Sequence, residues 1–77
     1  MRLQVKVTGH LVDYFADSET LLPDGATVEE ALSGLGIPTD QVGLVSVNGV
    51  AVNKSVRGSR LLSDGDNLMV MAPLTGG

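Results

Sequence analysis

The sequence predicts an α+β domain, a mixed sheet with a single helix packed on one face. The chain opens on a strict two-residue alternation from Arg2 to Thr8, the period of a half-buried strand. A single segment, Thr27 to Pro38, switches to helical spacing and carries both a start and a stop signal. Apolar runs then return, separated by the turn sequences Asn48-Gly49 and "SDGDN".

In the first strand Leu3, Val5 and Val7 point one way, and Arg2, Gln4, Lys6 and Thr8 the other. The following "GHLVDYFADSE" is too irregular for a strand and reads as a connection, with Leu11, Tyr14 and Phe15 folding back onto the core edge. "TLLP" forms a short second strand, closed by the turn residues Pro23 to Gly25. Thr27, with Glu30 three positions on, makes a capping box, after which Val28, Ala31, Leu32 and Leu35 share one helical face. Gly36 followed by Ile37 suits a left-handed helix end, and Pro38 bars continuation.

A small turn over Pro38 to Val42 leads to "LVSVNGVAV", a hairpin whose Asn48-Gly49 turn needs positive φ at both central positions. A looser stretch, Asn53 to Ser63, precedes the "SDGDN" turn and a last strand over Leu68 to Ala72. Leu68 and Val70 should face the helix, leaving Met69 and Met71 on the opposite face with Leu44 and Ser46 on one side and Gln4 and Lys6 on the other. Val5, Leu32, Val47 and Val70 are the expected core markers. The last strand should lie beside the first, so that the chain leaves from mid-sheet. Residues 1–72 form the folded domain, and 73–77 a flexible tail ending on Gly-Gly.

Composition narrows the function. A net charge of −4 and a pI near 4.5 leave no basic face for nucleic acid or an anionic membrane surface. No cysteine is present, which removes disulfides, thiolate metal sites and thiol nucleophiles together. The start "MRLQVKV" lacks an apolar core of signal-peptide type, and no run is long enough to cross a bilayer, so the expected location is cytoplasmic.

No constellation reads as a catalytic or metal site. His10 has no second ligand at a meaningful spacing, and Asp64 and Asp66 belong to a tight turn. Glu29 and Glu30 are adjacent on the helix and favour its N-terminus. Gly34 and Gly36 close a helix, whereas a phosphate cradle opens one. Lys54, Arg57 and Arg60 read as a solvated loop, with a partner contact as the alternative.

The chain's end is more informative. Pro73 has no N–H and stops sheet pairing, and it holds Ala72 extended. Pro73, Leu74, Thr75, Gly76 and Gly77 can then span up to about 17 Å, and the last two residues have no side chains to obstruct an enclosing partner. With the element order, "PDGATVEEAL", "VSVNG", "LSDGDNLMVMAP" and the terminal "GG", the whole chain resembles the MoaD/ThiS family of ubiquitin-like sulfur carriers.

The resemblance implies the β-grasp (ubiquitin-like) fold and a carrier, not an enzyme. An E1-like adenylating enzyme using ATP and magnesium would activate the Gly77 carboxylate. A persulfide enzyme would supply sulfur to form a C-terminal thiocarboxylate, for delivery to a molybdopterin synthase large subunit or a thiazole synthase. The carrier itself binds no cofactor, and no nucleic acid or membrane is implied. "AP" ahead of the tail leans toward the molybdopterin type, although that type usually has a proline pair there and this chain has Ala72-Pro73. The family's usual aromatic positions in the last strand are Met69, Val70 and Met71 here. Leu44, Met69 and Met71 are the expected partner-binding residues, because methionine suits a surface that adapts to more than one partner. Two alternatives stay open: a protein modifier conjugated through Gly77 to lysines, and a non-covalent binding module.

Overall fold

The opening alternation becomes β1 (Arg2–Val7), with Leu3 and Val5 buried and Arg2, Gln4 and Lys6 exposed in this computed structural model, which describes residues 1–73. β2 (Glu19–Leu21) runs antiparallel to β1, pairing Arg2 with Leu21 and Gln4 with Glu19. It starts one residue earlier than the sequence suggests and ends before Pro23, which has no N–H to give the ladder.

α1 (Val28–Gly34) is capped at both ends as its sequence prescribes. The Glu30 N–H donates to Thr27 Oγ1 at 3.2 Å, and the Thr27 N–H donates to Glu30 Oε1 at 3.0 Å. At the other end Gly36 takes φ +77°, and the Ile37 and Gly36 N–H groups donate to the Leu32 and Ser33 carbonyls. That is the Schellman arrangement, and it satisfies carbonyls the helix would otherwise leave unpaired. Val28, Ala31, Leu32 and Leu35 are all buried, so the predicted stripe is the packed one.

β3 (Leu44–Val47) and β4 (Val50–Ala51) form the hairpin, with Asn48 at φ 52° and Gly49 at φ 82°. β5 (Asn67–Met71) lies between β1 and β3, giving the sheet order β2-β1-β5-β3-β4. It is parallel to β1 and antiparallel to β3. Leu3, Val5, Val45, Val47, Leu68 and Val70 cover one sheet face and join α1 in a single core. Val5, Leu32, Val47 and Val70 are buried, as expected.

The connections hold what alternation and capping rules did not show. Gly9–Asp13, Thr39–Gln41 and Lys54–Val56 are short 3₁₀ helices. Within the first, Leu11 is fully buried and Phe15 packs half-buried beside it, but Tyr14 is exposed, contrary to expectation. Leu11 and Phe15 already fill that edge of the core, and the Tyr14 ring instead meets His10 edge-on at the surface, 6.5 Å between centroids. The basic stretch also departs from a fully solvated loop. Lys54 and Arg60 are exposed, but Arg57 folds inward and is only 7% exposed.

Asp64 and Asp66 are turn residues, as read. Asp64 Oδ1 accepts the Arg2 N–H at 2.7 Å. Asp66 accepts the Ser63 N–H at 2.8 Å and the Asn48 side-chain amide at 2.9 Å, while Asn48 Oδ1 accepts the Asn67 N–H at 2.9 Å. The two tight turns are thereby tied to each other. Partial burial pushes the Asp66 carboxyl up, but the bonds from Ser63 and Asn48, with the charge of Arg60, outweigh it and hold it below its ordinary 3.8.

The fold makes two predictions. Val70→Asp should abolish cooperative unfolding in a urea titration, because it buries an unpaired carboxylate, whereas Thr27→Ala should cost only about 1 kcal/mol. Equal midpoints would contradict the register. Because the Asp66 carboxyl is depressed in the fold, its contribution is present above pH 3.8 and is lost as pH falls through the folded value. The stability advantage of wild type over Asp66→Asn should therefore be full at neutral pH and shrink below that point, as read by urea midpoints across the range.

Candidate functional site

With α1 on one side of the sheet, the opposite face is open. β5 is central, so Met69 lies between Lys6 of β1 and Ser46 of β3, and Met71 is paired with Leu44. The structure thus brings the three predicted contact residues onto one face. The methionines are half-buried, while Leu44 is 53% exposed. A broad depression of ≈ 790 Å³ covers this face, lined among others by Gln4, Lys6, Ser46, Met69 and Met71. Its floor is apolar and its sides carry an amide, an ammonium and a hydroxyl. Such a surface can seat an apolar segment and fix its orientation at the margin.

At one end of the depression the chain leaves the sheet. Pairing of β5 with β1 stops at Val7 and Val70, and with β3 at Leu44 and Met71. Two loops take over from there. The Gly43 N–H donates to the Met71 carbonyl at 2.8 Å, and the Ala72 N–H donates to Thr8 Oγ1 at 3.1 Å. Pro73 is the last described residue. The predicted tail positions Leu74, Thr75 and Gly76, and the predicted activated terminus Gly77, lie outside the described residues.

Gly43 is a site residue that sequence reasoning missed. A Cβ there would lie 2.8 Å from the Ala72 carbonyl oxygen and from the Pro73 N and Cα. The only signal available was a glycine immediately before a strand and outside any turn pattern, which marks close backbone approach.

Behind this exit, His10 Nε2 and Gln41 Oε1 are 2.7 Å apart and join the two loops. Arg57 Nη2 donates to the Gly43 carbonyl at 3.4 Å, and its buried Nε has no acceptor among the described residues. Among the described residues no group of His, Cys, Asp and Glu could hold a metal ion, and no helix is long and apolar enough to cross a membrane.

The model of the ThiS family matches residues 5–77. No curated protein sequence matches the chain. Among solved structures, SAMP1 from Haloferax volcanii aligns with a TM-score of 0.71 at 22% identity, covering 100% of both chains. The thiamine biosynthesis protein ThiS of Geobacter metallireducens aligns with a TM-score of 0.71 at 20% identity, over 100% of this chain and 99% of that one. Subunit 1 or 2 of the molybdopterin-converting factor from Helicobacter pylori, in a structure of their complex, aligns at 0.60 and 17% identity over 100% of both chains. At these identities the likeness is one of fold, the ubiquitin-like β-grasp.

A buried guanidinium with one long hydrogen bond contributes little net stability, since its desolvation offsets what the bond returns. Arg57→Met, which keeps an unbranched side chain in the same space, should leave the urea midpoint unchanged or raise it. A fall of several kcal/mol would show that the charge is better compensated than this geometry indicates.

Proposed function

The chain belongs to the ThiS family, and from that premise we propose that it is a ubiquitin-like sulfur carrier whose chemistry takes place at the carboxylate of Gly77. The observation that carries this reading is the position of β5. A central strand delivers Pro73, and with it a tail ending in two glycines, from mid-sheet beside a half-open methionine face.

A carboxylate is a poor electrophile. Its oxygen would attack the α-phosphorus of ATP on an E1-like partner, releasing pyrophosphate and leaving an acyl-adenylate. A persulfide sulfur would then displace AMP, and a second thiol would cleave the sulfur–sulfur bond, leaving the thiocarboxylate and a disulfide on the donor. ATP and magnesium belong to the partner, and the chain is a carrier, not a catalyst. The thiocarboxylate stays ionised at neutral pH and remains nucleophilic, ready for an acceptor enzyme.

The open face is the surface by which we take both partners to dock. The complex of subunits 1 and 2 in Helicobacter pylori supports an acceptor of the large-subunit kind, and "AP" before the tail favours molybdopterin or a related cofactor over thiamine. A second reading has its own observation. SAMP1 of Haloferax volcanii, a small archaeal modifier protein, has the same fold, so conjugation of Gly77 to lysines would use the same activated terminus.

Mass spectrometry of the protein from its native cell should show one oxygen replaced by sulfur, whereas a ladder of isopeptide adducts would favour the modifier. Removing Gly77 should abolish ATP–pyrophosphate exchange with the activating enzyme and leave the melting temperature unchanged. Met71→Asp should stay folded yet bind that enzyme at least about thirtyfold more weakly; undiminished binding would exclude this face as the docking surface.

A further inference from the structure

We propose that Gly43 and Thr8 are positioning residues, forming a collar around the root of the tail that sets the direction in which the terminal carboxylate is presented. The inference rests on the carrier reading.

Beyond its last strand pair, β5 has no neighbouring strand among the described residues. Yet the backbone of Met71 to Pro73 is gripped from both sides, by the Thr8 hydroxyl on the Ala72 N–H at 3.1 Å and the Gly43 N–H on the Met71 carbonyl at 2.8 Å. Gly43 is not there for its conformational freedom, because its φ lies outside the positive region where the turn glycines Gly49 and Gly65 sit. The demand is for space. Three backbone atoms of Ala72 and Pro73 occupy the position of its missing Cβ at 2.8 Å, and backbone cannot rotate aside as a flexible side chain can. Gly9 forms the opposite wall, where an added Cβ would lie 3.2 Å from that of Ala72. Both loops are braced from behind, by the His10–Gln41 contact at 2.7 Å and by Arg57 on the Gly43 carbonyl.

The fully buried core ends at Val70, and Ala72 only packs against its edge, so the grip is placed beyond what the core itself requires. It matters for the residues beyond Pro73. Four residues reach at most about 14 Å, so a swing of about 20° at the root displaces their end by roughly 5 Å. Acyl activation needs the attacking oxygen within about 3.5 Å of phosphorus. The collar therefore limits how much of that search is left to the partner.

The test compares wild type with Gly43→Ala, Thr8→Val and Thr8→Ser in the full chain. ATP–pyrophosphate exchange is measured with the E1-like enzyme of the same organism, and amide hydrogen exchange is read at Ala72. Because the docking face is untouched, Gly43→Ala and Thr8→Val should lose at least about tenfold in kcat with KM for the carrier within about threefold. Their Ala72 amide should exchange at least about tenfold faster, and Thr8→Ser, which keeps the hydroxyl, should restore both. Wild-type kcat in Thr8→Val, a loss confined to KM, or an unchanged Ala72 amide would each overturn the collar. If Gly43→Ala does not fold, the Thr8 pair decides. Absence of exchange with wild type would instead overturn the carrier reading, and the role given to the collar with it.

Discussion

The parallel pairing of β1 with β5 joins the first strand to the last, and the remaining elements are arranged around that ladder. Val5 beside Leu68 and Val7 beside Val70 form the middle of the sheet, on which α1 lies. A parallel pair cannot be closed by a tight turn, so the intervening chain has to cross over, and α1 is the crossing. Contacts between residues some sixty positions apart also make this centre expensive to nucleate, since loop closure precedes any return from burial. Local features with their own stability ease that problem. The capped helix and the Asn48-Gly49 hairpin each form from residues close in sequence.

The same ladder lets one short chain build a single core and lead Ala72 and Pro73 out from mid-sheet. A strand in the middle of a sheet is the one most firmly held, and Ala72 and Pro73 follow directly from it. Met69 and Met71 occupy the outward positions of that strand, so the prospective docking face and the tail root share one rigid element.

Much of this was legible in the sequence because the relevant rules are local. Alternation placed Leu68 and Val70 inward and Met69 and Met71 outward, and the Thr27–Glu30 pair and Gly36-Ile37 marked both helix ends. What escaped depends on distance in space. Tyr14 is apolar enough for the core, but Leu11 and Phe15 occupy the place it would take. Arg57 looks like one charge among three, and only the packed loops show that it turns inward toward the Gly43 carbonyl. Gly43 carries no conformational signature at all, since its importance comes from Ala72 and Pro73, about thirty positions away. The predicted roles of Leu74, Thr75, Gly76 and Gly77 rest on sequence and family alone.

The two outer strands carry a different consequence. β2 has three residues and β4 only two, so neither margin offers a long row of unpaired backbone groups. An extended peptide adding itself as a further strand would find too few hydrogen bonds to hold register. Strand addition is therefore disfavoured at both margins, and side chains offer more to a contact than backbone does. Margins this brief are poor templates for strand-to-strand association.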